Sequence, residues 1–270
     1  VVNLGHMSAP PETLNRHPGA DYKVYLDMQF NLLANDPLFD GLYGVETYHS
    51  SFADDEVQRW AARLHRHYWI EGNTEMLSSD PYELPHIQNA DFESGTTGWT
   101  VTPAEAGSMG TQAVPSYGWL QGRYPQAAYG DTALWTRRSD VAPNLASQTV
   151  SNLTPGRLYS AKMMTADYQE YVARSSTESA HQVSLTLDGA ELIEDKSIST
   201  MFPSGLAGHT YDGFDRDNNL WISYDSIVFR ALDTSATLTI SDWPDDQGPG
   251  GAVGQELMFN FIEVQPYLED

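Results

Sequence analysis

Apolar residues recur along this chain with two different periods, and the change between them falls near residue 73. In residues 1–72, short apolar runs alternate with stretches of helical spacing. Val1, Val2 and Leu4 open a short strand. After a loop carrying Pro10, Pro11 and Pro18, the spacing predicts a helix from about Asp21 to Ala34, with Tyr25, Met28, Leu32 and Leu33 on one face. A second short strand is predicted over 42–45. Ser51 or Asp54 then opens a helix in which Val57, Trp60, Ala61, Leu64 and Tyr68 recur at steps of three and four, and Gly72 stops it. Acidic residues from Asp54 to Glu56 fall at the positive end of that helix. Strand, helix, strand, helix is the order of a parallel sheet. Two such units cannot cover both faces of a parallel sheet, so residues 1–72 are expected to pack on an upstream region or a neighbouring chain.

Residues 73–88 lose the period and carry Pro81 and Pro85, which predicts an ordered linker. Beyond it the period falls to two. Segments 98–102, 133–136, 146–151, 158–166, 182–187, 221–230, 236–240 and 257–264 alternate or are β-branched, with Gly and Pro between them. Eight strands with no helix predicted between them imply a β-sandwich over 89–270, so the chain as a whole is expected to be mainly β.

Charge narrows the partners. Lys plus Arg total 14 against 37 Asp plus Glu, a net charge of -23. Such a field repels phosphate backbones and anionic lipid, which argues against nucleic acid, while a neutral polysaccharide meets no charge penalty. No apolar run reaches the roughly 20 residues that span a bilayer as a helix. With no cysteine there is neither a disulfide framework nor a thiolate metal site. The opening Val1-Val2-Asn3-Leu4 lacks a charged signal region and is read as the continuation of a longer chain.

Two resemblances follow from particular runs. The element order of 1–72, with Gly44-Val45-Glu46-Thr47-Tyr48, Trp60, Arg66-His67-Tyr68 and Ile70-Glu71-Gly72, resembles the last βα units of a (β/α)8 barrel in large bacterial glycoside hydrolases. Asn89-Ala90-Asp91-Phe92-Glu93 followed by Gly98-Trp99 is similar to the opening of jelly-roll carbohydrate-binding modules of the galactose-binding-like superfamily. There a first strand carries Asn, Phe and Glu before a Gly-Trp pair. The run 147–159, through Thr154-Pro155-Gly156-Arg157, matches their strand-turn-strand, and Phe259-Asn260-Phe261-Ile262-Glu263-Val264 resembles the closing strand. The implied architecture is a partial barrel over 1–72, a linker over 73–88 and a jelly-roll β-sandwich over 89–270. A secreted, periplasmic or cell-surface bacterial location accompanies these resemblances.

Candidate chemistry falls in three groups. Sugar recognition uses flat aromatic faces together with polar groups for the hydroxyls. Trp119, Arg123, Tyr124 and Tyr129 supply both, in a stretch running from Tyr117 to Trp135. Tyr168, with Asp167, Gln169 and Glu170, supplies a second set, and Trp243, with Asp242 and Asp245, a third. The jelly-roll resemblance implies a structural Ca2+ between the first and last strands, for which Asp91, Glu93 and Glu263 are the candidate ligands; Asn260 and Glu263 flank the place where the family usually carries Asp. Asp212 to Asn218 form a second acidic loop without the Glu that closes an EF-hand. The barrel resemblance places an active site at the C-terminal strand ends, where Glu46 falls just past the predicted strand with Tyr48 and His49 beside it, and His6 in the corresponding place after the first strand. Glycosidases use two carboxyl groups, roughly 5 to 10 Å apart, and Glu46 alone is in position. Glu12 lies farther along a loop.

Three functional classes follow. The first is a carbohydrate-binding or accessory region of a polysaccharide-acting protein, with a polysaccharide or oligosaccharide and an upstream catalytic domain as partners. The second is a structural subunit of a surface layer, filament or larger assembly. The third is a glycoside hydrolase that uses Glu46 with residues supplied from outside this chain.

Overall fold

All eight predicted strand segments form strands, arranged in two antiparallel sheets. The computed structural model describes residues 2–5, 19–48, 55–115, 117, 131–203 and 219–269. The larger sheet has seven strands: β4 (Met109–Ala113), β5 (Thr132–Arg137), β7 (Leu158–Asp167), β9 (Ala190–Leu192), β10 (Ile198–Pro203), β11 (Trp221–Ala231) and β13 (Glu256–Pro266). Their order is β10-β11-β7-β13-β5-β4, with β9 also pairing β11. The smaller sheet orders β3 (Thr100–Thr102), β6 (Leu145–Val150), β12 (Ala236–Ser241) and β8 (Ser184–Asp188) as β3-β6-β12-β8. Leu134, Tyr159, Ala161, Met163, Phe229, Phe259 and Val264 of the large sheet meet Ala146, Val150, Leu185, Leu238 and Ile240 of the small one in the main core. The chain is therefore a β-sandwich over most of its length.

The strands not predicted, β4, β9 and β10, all lie at edges, where one-sided pairing leaves alternation weak. One helix was also not expected: α3 (Tyr168–Ala173) follows β7 directly, capped by Asp167, whose carboxylate accepts from Glu170 N at 3.0 Å. The Asn89–Trp99 run is a succession of turns rather than the first strand that the resemblance implied. Asn89 and Phe92 have positive φ (49° and 57°), which an extended strand does not permit. Asn89 Nδ2 donates to Gly95 O and Thr97 O, its Oδ1 accepts from Ser94 N, and its carbonyl accepts from Trp99 Nε1. The coiled turn presses Phe92 against Trp99, ring centroids 5.1 Å apart, into the main core.

β7 is buried at every position, which a strand solvated on one face would not be. Its Met164 and Ala166 belong to a second cluster on the outer face of the large sheet, with Ile222, Tyr224, Met258, Phe261, Tyr171 and Tyr117. Farther along that face stand Ser160, Lys162, Glu263 and Gln265, all buried. The N-terminal segment lies beside them: a crevice here is lined by Asp55, Glu56 and Arg59 on one side and Lys162, Tyr224 and Ser226 on the other.

That segment holds a parallel pair, β1 (Val2–Gly5) with β2 (Val45–Tyr48), and two helices, α1 (Tyr22–Asn35) and α2 (Asp55–His65), α2 continuing through a π-helical turn over Arg66–Ile70. The parallel order is as expected. β2 begins three residues later than predicted, because Asp36 caps a 3-10 turn over Pro37–Phe39 and the chain is still turning when Leu42 N bonds Phe39 O. The buried face of α1 also differs. Met28 and Leu32 are exposed, whereas Lys23, Leu26, Asp27, Phe30 and Leu33 are inside. Two charged residues occupy the buried stripe, so hydrophobicity alone selects the wrong face. Lys23 Nζ lies 3.1 Å from Glu56, and Asp27 accepts from Tyr68 Oη and Ser78 N at 2.6 and 2.7 Å. The expected stripe on α2 is observed, with Val57, Trp60, Ala61, Leu64 and Tyr68 buried.

Residues 73–88 are an ordered connection tied to both parts. Leu84 N bonds Gly19 O, Arg157 grips Asp80 through two bonds of 2.7 and 2.6 Å, and Gln88 exchanges two bonds with Gln148. Among the described residues, no helix is long and apolar enough to cross a membrane.

Candidate functional site

The ends of β5, β7 and β13 meet at one end of the large sheet, beside the approach to β8. Each carries a polar side chain there: Arg138 just after β5, Asp167 closing β7, Gln255 just before β13, and His181 with Gln182 ahead of β8. Together with Gln169, Ser179 and the glycine-rich loop 250–254 they line an open cavity of about 460 Å³.

Arg138 organises this cavity. Its side chain is 2% exposed. Nη1 donates to Gln255 Oε1 (3.0 Å) and Nη2 to the carbonyl of Gln182 (2.7 Å), so one guanidinium joins two loops. Its backbone bonds Gln255 O and receives Gly254 N. The glycine loop closes directly over it. A Cβ on Gly251 would stand 1.7 Å from Arg138 Nη1, and one on Gly250, where φ is +64°, would stand 2.6 Å from Pro244 Cγ. Gln255 bridges onward, its Nε2 donating to Asp167 Oδ2 at 2.9 Å. Burial lowers the Arg138 pKa, and the carboxylates of Asp242 and Asp167 counter that shift in part.

His181 sits 9% exposed in the wall, with its backbone N donating to Ser223 Oγ at 2.9 Å and its Nδ1 2.8 Å from the same oxygen. Burial lowers its pKa to about 4, with the Arg138 charge acting in the same direction and Asp167 against it. The ring is therefore neutral at physiological pH. The arrangement that uses both functions of the Ser223 hydroxyl has Oγ accepting from the backbone and donating to Nδ1, which leaves the proton on Nε2.

Of the three aromatic sets anticipated, the first lies outside the described residues: Trp119, Arg123, Tyr124 and Tyr129 all fall there. The second is partly assembled. Asp167 and Gln169 line the cavity, while Tyr168 is half-buried and stacked on Tyr171 of α3, centroids 6.3 Å apart. In the third set, Trp243 is buried and is no stacking platform; its Nε1 donates to Ser139 O, and Asp242 beside it is consumed by Asn144, whose N and Nδ2 it accepts at 2.9 and 2.6 Å. The Trp243 ring belongs to the framework behind the glycine loop.

Asp91, Glu93 and Glu263 are not gathered into one ligand group, and no such group of three or more His, Asp or Glu occurs among the described residues. Glu263 points to the outer face, 3.8 Å from Lys162 Nζ, and Glu93 accepts from Thr132 Oγ1 at 3.0 Å. The two chain regions are joined instead by backbone, Ile262 N donating to Ala90 O where a bulge interrupts β13. Glu46 is the second residue of β2, paired with Asn3 and exposed, rather than just past the strand end as expected. His6, Glu12, His49 and the acidic loop 212–218 lie outside the described residues. His67 bonds Glu75 O and Asn73, a local clasp.

Arg138, His181, Gln182 and Gln255 were not anticipated from the sequence. The cluster Gly248-Pro249-Gly250-Gly251 was the available signal, since so many glycines before a strand mark a close backbone approach.

No family model matches this chain, and no curated protein matches it. Among solved structures, it is similar to TmCBM61, solved in complex with β-1,4-galactotriose, at 11% identity and a TM-score of 0.34, over 67% of this chain and 97% of the other. It is also similar to a CBM4 structure, at 9% identity and a TM-score of 0.30, over 67% and 99% of the two chains. A third similarity is to the enzymatically active domain of bacteriophage CBA120 tailspike protein 4, at 10% identity and a TM-score of 0.36, over 67% of this chain and 21% of that one.

Proposed function

We propose that this chain is the carbohydrate-binding and accessory region of a polysaccharide-acting protein, and that the cavity between Arg138, Asp167, His181 and the 250–254 loop holds the glycan. The observation that carries this reading is the division of labour in the cavity. A buried guanidinium and the Gln255 amide fix the loops, and the exposed groups are amides and a hydroxyl, from Gln169, Gln182 and Ser179. Such groups match sugar hydroxyls, which both donate and accept. Affinity electrophoresis through gels containing galactan, β-glucan, xylan or mannan tests it. Retardation by at least one polymer is expected, and free migration through all of them would overturn the reading.

The same chain also has the features of a buttress for an α/β catalytic unit. Polar contacts between the N-terminal part and the sandwich support this: Glu56 of α2 accepts from Leu268 N, just past β13, at 2.7 Å while pairing with Lys23, and Arg157, just before β7, ties Asp80 of the connection. A sandwich held in this way moves with the α/β segment rather than swinging on a tether. Proteolysis separates the two readings of the connection, because a seam-locked segment 73–88 resists cleavage until the whole chain unfolds.

A further inference from the structure

We infer that the cavity selects uncharged glycans and rejects uronates and sulfated sugars, an inference that rests on the glycan-binding reading above. A buried arginine beside a cavity ordinarily suggests an anion receptor. Here the guanidinium is turned into the frame, its Nε fully buried and without a hydrogen-bond partner among the described residues. Both of its terminal nitrogens already donate within the protein, to Gln255 Oε1 and the Gln182 carbonyl, and the glycine loop covers Nη1 so closely that no Cβ fits at Gly251. A ligand carboxylate cannot take the two-pronged contact without opening both loops.

The remaining charges also disfavour an anion. Asp167 is 8% exposed at the cavity wall, and Asp242 is buried behind it, close enough to act on the Arg138 charge. Two carboxylates thus face one cation. His181 adds no positive charge, being neutral at physiological pH. The accessible rim, Gln169, Ser179 and Gln182, carries none. An anionic sugar would enter a net negative region of a chain whose overall charge is -23, without a free cation in that wall to meet it. A neutral pyranose meets amides and hydroxyls, and its binding carries no large electrostatic component.

Affinity electrophoresis of the full chain in 0.05 and 0.5 M NaCl, on galactan, β-glucan, xylan and mannan beside polygalacturonate and alginate, tests this directly, with isothermal titration for any polymer that retards it. The expected result is retardation by a neutral polymer that is the same at both salt concentrations, and free migration through both polyuronates. A Gln169→Ala/Gln182→Ala variant, altered only at exposed side chains, is expected to lose about tenfold or more in affinity, the equivalent of one to two ordinary hydrogen bonds. Retardation by polygalacturonate or alginate that weakens with salt would overturn the inference, as would neutral binding that the double variant leaves intact. Free migration through every polymer would instead remove the glycan reading on which it rests.

Discussion

Replacing Lys162 by Met tests how the large sheet holds a buried ion pair on its outer face. Lys162 and Glu263 face each other on neighbouring strands, 3.8 Å apart, with side chains 2% and 0% exposed. Their mutual attraction at an intermediate effective dielectric is about 4 kcal/mol, and the cost of desolvating both offsets much of it. The pair therefore adds little net stability, but losing the ammonium removes a positive charge from beside the buried Glu263 carboxylate. Lys162→Met is expected to cost about 3–5 kcal/mol, and a further Glu263→Leu exchange should recover most of that loss. In a chain of this size the single change lowers the melting temperature by roughly 6–20 °C. Calorimetry and urea titration of the four members of the cycle measure both quantities. A single variant within about 1 kcal/mol of the parent, or a double variant as unstable as the sum of the two, would refute the reasoning.

Three other expectations concern the glycine loop, the buried histidines and the Asn89 turn. Gly251→Ala pushes a methyl into Arg138 and breaks its bonds to Gln255 and Gln182, so it should cost ~2 kcal/mol or more and abolish polysaccharide retardation; unchanged melting would contradict the packing described. The lowered pKa of His181 means that the unfolded chain takes up a proton first as pH falls, so its contribution is fully present above 6.5, declines through about 4 and amounts to at most ~3 kcal/mol. His86, also lowered by burial, acts with the same sign, and a His181→Gln variant should lose stability less steeply than the parent between those pH values in urea titrations. Asn89→Ala removes three side-chain bonds at a residue with positive φ and should cost roughly 2 kcal/mol, read as a shift of the urea midpoint at unchanged slope.

The sandwich was legible because its core strands are short apolar runs of strand length bounded by turn residues: Leu158 to Asp167 and Glu256 to Pro266 fill both sides of the large sheet. The edge strand β4, Met-Gly-Thr-Gln-Ala, carries no such signal, since pairing with β5 rather than its own propensity makes it a strand. Helix α1 shows the opposite failure. Its period was visible but its face was not, because buried Lys23 and Asp27 replace apolar side chains where Glu56 and Tyr68 meet them from α2 and its continuation. Trp243 illustrates why aromatics mislead as site markers: its indole N–H satisfies the Ser139 carbonyl, and that partner lies 104 residues away in sequence. Arg138 and His181 could not be selected by composition either, as their importance comes from loops that converge only in the folded sandwich. Asp167-Tyr168-Gln169-Glu170, an acidic cap with Glu three residues on, did carry the α3 signal in plain form.

Hydrogen exchange of the chain with and without the neutral polysaccharide that retards it tests the central assignment most directly. Binding in the cavity predicts that protection rises in 167–182 and 248–255 and stays unchanged elsewhere. Protection confined to the outer face of the small sheet, where Thr100, Ser147, Thr239 and Thr186 stand in one row across four strands, would contradict it.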